Sequence, residues 1–451
     1  MKIYDIIIVG AGPAGLYLAH RLEAETRSVS SFRILILEKE RWIGGRTRQE
    51  WFDRTWINTG AGVGRLRKDR RLLRLVQDFI FQGKQRTEEK TRGTTRLQTF
   101  AAPVCFDFPP PEHDLSYFLQ ILQAHRPWIA EHRHSLSFKQ CFLHFFSKRE
   151  YRQFCHLNGY TDFERADPLD TLDDYGFDDN LPSRKENEQK FFQVPWNRLM
   201  HALRSSLQKT TVRFRTCVTG FAREGPSLFR VSVEKMTTFS ASSSLLPSSS
   251  FLGRHIIFAG CVDHYPFPLV QRGIGCNSFI RVYLSSPLLS SSSSSSSSSF
   301  PSCVHYTSTL LQKTRQLTPS LMMLAYADNH NADRIAAMDP SALLLLLLLS
   351  TSISSPLSEI RDHHRIRLFY RKCGTHFYFP LDPSFQDRDQ FIDYAQHPEP
   401  GVFLVGEVIS KNQGWTEGAL ESVDRILPRL LRSIDLARAT PSSLEKKKCP
   451  Y

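Results

Sequence analysis

The strongest constraint on the fold lies at the start of the chain. Ile6-Ile7-Ile8-Val9 runs into Gly10-Ala11-Gly12-Pro13-Ala14-Gly15, followed by Leu16, Leu18, Ala19 and Leu22 at helical spacing. A short unbroken apolar run reads as a strand buried on both faces, and the pattern after it as a helix packed on that strand. Each glycine has its own task. Gly10 permits the tight strand-to-helix turn, Gly12 lets backbone approach a pyrophosphate, and Gly15 allows the helix to pack on the strand. Pro13 and Ala14 open the helix, whose unpaired N–H groups and positive dipole end suit phosphates. A second buried strand, Ile34-Leu35-Ile36-Leu37, ends at Glu38, 23 residues after Gly15, with Lys39 next. An acid there accepts hydrogen bonds from ribose hydroxyls and disfavours the 2′-phosphate of NADP. The expected fold class is therefore α/β, with a dinucleotide-binding unit at its start.

At 451 residues, the chain has a length prior of about three domain-sized units. Hydrophobic residues at 41% and charged residues at 23% exclude wholesale disorder, collagen and a polytopic membrane protein. The 58 basic and 45 acidic side chains leave a net charge of +13. That field favours anionic partners, but the basic residues are scattered, so a solvated surface is the expectation and no specific nucleic-acid signal is present. Nine cysteines, far apart and without a Cys-x-x-Cys pair, argue against a disulfide framework or a structural zinc site. They fit a reducing compartment, and no signal peptide precedes the first strand, so a cytoplasmic location is expected. The leucine run Leu343 to Leu349 is far shorter than the roughly 20 residues a spanning helix needs, so no membrane span is expected. The oligomeric state is not legible.

Three low-complexity stretches interrupt the chain: Ser240 to Ser250, Ser290 to Ser299, and Ser341 to Pro356 around the leucines. Serine tracts bury too little apolar surface to offset their ordering entropy and read as surface loops. Between them, helix-spaced apolar residues mark 115–155 as helical. Strands are expected at Val212 to Val218, Phe229 to Val233, His255 to Ala259, Phe279 to Leu284, Leu321 to Tyr326, Ile366 to Tyr370 and Val402 to Val405, and a last helix from near Thr416 through Leu431.

A glycine fingerprint alone does not separate NAD from FAD. Further motifs do. Glu38-Lys39-Glu40-Arg41-Trp42-Ile43-Gly44-Gly45-Arg46-Thr47 resembles the Gly-Gly-Arg segment of the flavin-containing amine oxidase superfamily, and Asn58 to Arg65, with Gly62, lies where that family has a glycine-rich turn. More than 330 residues later, Val402-Phe403-Leu404-Val405-Gly406-Glu407, then Gly414-Trp415-Thr416-Glu417-Gly418-Ala419, resembles the family's closing motif. The resemblance implies FAD, with Glu38 on the adenosine ribose, Gly44, Gly45 and Arg46 along phosphates and flavin, Gly406 and Glu407 beside the ribityl-pyrophosphate, and Trp415, Thr416 and Ala419 at a helix start under the flavin. Val218 matches a position whose backbone touches adenine in that family; the alternative is an ordinary strand residue. The implied architecture is a Rossmann-like FAD-binding domain from residues 1–85, 190–262 and 396–436. An interleaved α+β substrate domain would comprise 86–189 and 263–395, with a basic tail from 437.

The same resemblance implies hydride transfer from an amine α-carbon to flavin N5 with O2 as electron acceptor. Two departures bear on it. Arg281 stands where many family members carry a lysine, and arginine is a poorer proton acceptor. Gly374 and Thr375 fall at the flavin-linking cysteine and a cage aromatic, so non-covalent FAD is expected, with Trp415 as a second cage aromatic. Arg281 and Trp415 are thus the candidate catalytic residues. The acidic stretch from Asp162 to Asp179 could attract a cationic amine, although a solvated loop is the plainer reading. No metal is expected, because the histidines show no ligand spacing. A flavoprotein of the same fold acting on a non-amine, or a non-catalytic FAD-binding protein, remains as an alternative.

Overall fold

The computed structural model describes residues 2–81, 97–100, 104–109, 112–180, 190–236, 249–261, 265–286, 303–339, 341–343, 345–346 and 365–439. The serine run 290–299 lies outside them, as do most of the other two low-complexity stretches and the chain beyond 439.

The opening apolar runs form strands Ile3–Val9 and Ile34–Leu37, paired in parallel and joined by the helix Pro13–Glu25. They are central to a seven-stranded sheet in the order Thr216–Gly225, Leu228–Lys235, Ser249–Phe258, Ile3–Val9, Ile34–Leu37, Thr210–Arg213, with Val402–Leu404 also paired to Ser249–Phe258. Burial on both faces explains why the runs are continuous rather than alternating. Ile6, Ile8, Ile34 and Ile36 face Leu16, Leu18, Leu22, Trp196, Leu199 and Leu420, whereas Ile7, Leu35 and Leu37 face Ile256, Phe391 and Val402. The sheet therefore draws strands from both ends of the chain and from its middle.

A six-stranded sheet has the order Arg365–Tyr378, Ile274–Ser285, Leu321–Asp328, Lys313–Thr318, Val304–Tyr306, Val104–Phe106. The 115–155 region is helical as expected, in four segments from Leu115–Ala124 to Lys148–Asn158, with capping boxes at Ser137 and Ser147. Its core is aromatic, built on Phe118, Phe138, Phe142, Phe154, Phe163 and Phe177.

Several expectations are corrected. The strand read over Val212 to Val218 is two strands, Thr210–Arg213 and Thr216–Gly225, because the backbone turns at Arg215, at φ 52°, to change partner. Ser249 and Ser250 are strand rather than loop, because Val233 and Ser232 supply ladder partners. The last helix, Thr416–Ala439, runs past Leu431 since Ile434 and Ala437 continue its buried stripe. The acidic stretch is not a solvated loop: Asp167 is fully buried at the N-cap of Pro168–Asp174 and pairs with Arg133 and Arg388, while Asp173 pairs with Arg126 and Asp179 with Arg65 and Lys68. Cys105, in the strand Val104–Phe106, and Cys303, just before its partner strand Val304–Tyr306, form a disulfide, a pairing that wide sequence spacing hid. No helix among the described residues is long and apolar enough to cross a membrane.

Candidate functional site

The strand-to-helix turn carries the geometry its glycines require. Gly10 sits at φ +112°, and a Cβ on Gly15 would lie 2.1 Å from the Gly10 carbonyl oxygen, so only glycine lets helix and turn meet. Gly12 is the N-cap of the helix, no side chain caps it, and nothing lies within 4 Å of where its Cβ would be. Pro13 and Ala14 begin the helix as expected. Gly44 and Gly45 have positive φ; the Gly44 N–H donates to the Ala11 carbonyl at 2.9 Å, and a Gly45 Cβ would lie 3.7 Å from the Gly12 Cα. Two glycine backbones thus face each other beside a helix N-terminus, leaving a strip bare of side chains that suits a diphosphate.

Glu38 closes the strip. Its carboxylate is buried and accepts the backbone N–H groups of Ala11 at 2.7 Å and Glu40 at 2.9 Å. Burial raises its pKa, against the lowering effect of those two donors. The backbone at Glu38 also holds the next segment, donating to the Arg213 carbonyl and accepting from the Thr216 N–H, which brings the strand carrying Val218 alongside. Val218 is half-buried and packs against the core, and Lys39 is exposed.

Arg46 carries the site onward. Its Nη1 donates to the Glu407 carboxylate at 2.5 Å and to the Gly374 carbonyl at 2.9 Å. Glu407 accepts the Gly414 N–H at 2.8 Å and pairs with His376 Nδ1. Burial opposes the charged form of Glu407, but Arg46 and His376 outweigh it and hold the carboxyl well below its usual range. Gly406, at φ +130°, donates to Ser422 Oγ at 2.8 Å. At the helix start beyond it, Thr416 is half-buried and Ala419 is buried. A Cβ on Gly418 would lie 2.2 Å from the Asn412 carbonyl oxygen, so the helix start packs tightly on that turn.

The candidate catalytic residues are at the far end. Arg281 is buried, with Nη1 reaching the Tyr283 hydroxyl at 3.3 Å and its guanidinium 4.2 Å from the centre of the Tyr326 ring. A Cβ on Gly62 would lie 3.0 Å from its Nη2, so the expected glycine turn and Arg281 do meet. Burial disfavours its charged form, but Tyr283 and Tyr326 reverse this and keep the guanidinium protonated. Trp415 is half-buried, and the Arg65 guanidinium is stacked 3.8 Å from its ring centre, so one ring face is already covered.

Beside Arg281 is a charge cluster that sequence reasoning missed. Lys313, Asp328 and Asp162 approach one another among Tyr160, Tyr306 and Tyr326. Asp328 accepts from Thr161 N and Oγ1, Asp162 N and Gln312 Nε2. Burial drives the Lys313 pKa well down, while Asp162 is pushed up to about 7 by burial and by Asp328. Also unforeseen, Cys261, Cys373 and His376 place their ligand-type atoms within 4.8 Å of one another. Linear spacing could not reveal either group, since each draws on residues more than 100 positions apart.

A dinucleotide of the flavin type fits these residues. Nothing lies within 4 Å of where a Gly12 Cβ would be, and three buried polar atoms, Arg281 Nε, Arg371 Nε and Thr375 Oγ1, have no hydrogen-bond partner. Arg371 Nη2 reaches the Gly45 carbonyl at 3.5 Å, and Thr375 is the neighbour a Gly414 Cβ would touch, so two of these atoms border the glycine segments.

Residues 8–79 match the NAD(P)-binding Rossmann-like domain. No curated protein sequence matches the chain. Among solved structures, wild-type putrescine oxidase bound to putrescine is similar with a TM-score of 0.67 at 12% identity, covering 96% of this chain and 99% of that one. A double mutant from a redesign of that oxidase's cofactor binding gives 0.66 at 13%, covering 95% and 99%. The chain thus carries a Rossmann-like dinucleotide domain within a fold similar to that of putrescine oxidase.

Proposed function

We propose that this protein is an FAD-dependent oxidoreductase of the amine oxidase type, acting on a small amine with O2 as electron acceptor. The observation that carries this reading is the side-chain-free strip between Gly12 and Gly45, bounded by the helix N-terminus at one end and Glu38 at the other. Helix N–H groups and the facing glycine backbones would hold the diphosphate, and Glu38 the ribose. We assign this work to a discontinuous domain of residues 1–85, 190–262 and 396–436. Bound there, FAD supplies a two-electron acceptor for oxidising a carbon next to nitrogen. The chain's residues orient and desolvate. Arg46 bridges the Gly-Gly-Arg turn to Glu407, and Gly418 lets the last helix approach closely. A non-covalent cofactor is favoured because the Cys373 thiol contacts His376 Nε2 at 3.2 Å. A cleft between Gly414 and the helix Pro168–Asp174 includes Asp174, a carboxylate suited to an ammonium group.

One observation favours a second reading. Arg281 is a buried, permanent cation beside Gly62, which repels an ammonium and attracts an anionic or polar substrate. A visible absorption spectrum before and after acid precipitation tests the cofactor: released yellow flavin supports the proposal, and a colourless protein that takes up no FAD ends it. Peroxide release across panels of amines and of hydroxy or carboxylate compounds then separates the two substrate readings.

A further inference from the structure

At the junction of the two sheets, three cysteines and a histidine converge. Cys261 follows the strand Ser249–Phe258, Cys276 lies in Ile274–Ser285, and Cys373 and His376 lie in Arg365–Tyr378. Cys276 is directly opposite His376 in the antiparallel ladder, which puts both on one face. Cys373 is three residues from His376 and would normally point away. However, the ladder steps from Asn277–Thr375 to Phe279–Arg371, so extra residues are accommodated there and the thiol turns to the same side. His376 Nε2 is then 3.3 Å from Cys261 Sγ and 3.2 Å from Cys373 Sγ, and Cys276 lies beside both thiols.

We propose that Cys261, Cys373 and His376, with Cys276 as the fourth ligand, bind a thiophilic divalent metal of the zinc class. Bonds of about 2.3 Å to sulfur and about 2.0 Å to nitrogen separate the ligands of a tetrahedral site by roughly 3.5–3.8 Å, so Cys261, Cys373 and His376 need only a small relaxation, while Cys276, outside that close group, would have to draw in. The outer contacts suit this role. His376 Nδ1 is engaged by the Glu407 carboxylate, leaving Nε2 for the metal, and this carboxylate–histidine arrangement recurs around zinc. Arg46, bonded to Glu407, adds a cation near the thiolates. All three cysteines are half-buried, which leaves the metal a way in. The metal would tie the end of a seven-stranded-sheet strand to two strands of the other sheet, a structural rather than redox role.

The test uses the full chain, purified under reducing conditions and analysed for zinc by atomic emission. About one zinc per chain is expected, falling to background in Cys261→Ser/Cys373→Ser and unchanged in Cys217→Ser, a half-buried cysteine elsewhere. Because the double variant could fail to fold, wild-type protein stripped by chelator and titrated anaerobically with Co2+ gives a second reading. A thiolate-to-cobalt charge-transfer band supports the site. Folded, reduced wild-type protein that holds no zinc and shows no such band overturns the proposal. So does equal zinc loss in Cys217→Ser, or a Cys261–Cys373 disulfide that persists under reductant. Flavin content is scored separately, so failure of the metal site leaves the cofactor reading intact.

Discussion

The glycine strip of the seven-stranded sheet and the charge cluster of the six-stranded sheet are both interior polar surfaces, built by opposite means. The strip is made by subtraction. Gly10, Gly15, Gly44 and Gly45 remove side chains so that backbones approach closely, and Gly12 leaves open space at the helix N-terminus. The cluster is made by compensation. Lys313, Asp162 and Asp328 enter the interior only because they face one another and hydrogen-bonding neighbours such as Thr161 and Gln312. Subtraction works over a few consecutive residues and is therefore readable along the chain. Compensation works across elements far apart and is not. The contrast also separates two kinds of sensitivity, one to added volume and the other to lost charge.

The largest expected effect tests compensation. Asp328→Ala removes an acceptor used by several donors and one of the two buried carboxylates that face Lys313. A loss of about 3–5 kcal/mol is expected, read as a lower midpoint in denaturant. A loss below about 1 kcal/mol would show the charges to be independently solvated. Next, Gly15→Ala drives a Cβ into the Gly10 carbonyl, and overpacking of that kind costs about 1–3 kcal/mol. An unchanged melting temperature would break the claim that the strip depends on excluded volume.

The pH dependence sharpens the cluster's role. Asp162 is faced by the Tyr175 hydroxyl, Asp328 and Lys313, and its pKa rises from the ordinary aspartate value of 3.8 to about 7, chiefly through burial. Between those values the folded protein holds a proton that the unfolded chain releases, so this group's contribution falls as pH rises, by at most about 1.4 kcal/mol per unit, and levels off above the higher value. Asp162→Asn should flatten that slope. Comparing denaturant midpoints of the two proteins across the window checks it, and parallel curves would remove Asp162 from the account.

The smallest effect on folding is expected at Gly12, where nothing lies within 4 Å of an added Cβ. Gly12→Ala should leave stability within about 0.5 kcal/mol and still reduce flavin occupancy, since the methyl enters the groove. Glu38→Ala should lower occupancy more than Arg281→Ala does. Equal losses in those two variants would contradict their assigned roles.

How much of this was legible follows from the same contrast. The opening strand–turn–helix, the second strand to Glu38 and the paired glycines at 44 and 45 are local patterns, and they stand where the residues placed them. The meeting of Gly62 with Arg281 was not anticipated, because nothing in either segment encodes the other. Arg65 stacked on Trp415 was not anticipated. Nor was the Asp167 network with Arg133 and Arg388, for an aspartate-rich segment reads the same whether its carboxylates face water or arginine. The Arg215 turn escaped notice because one non-glycine residue at positive φ has no reliable sequence mark.

The position of Val402–Leu404 has a bearing on the order of events during synthesis. It completes the sheet against Ser249–Phe258, which pairs with the opening strand Ile3–Val9. Ile3–Val9 thus joins a sheet that stays incomplete until Val402–Leu404, almost 400 residues later, has been made. Contacts so distant are slow to form. The nascent protein must keep the apolar strand Ile3–Val9 out of wrong partnerships while the residues up to Val402–Leu404 are made.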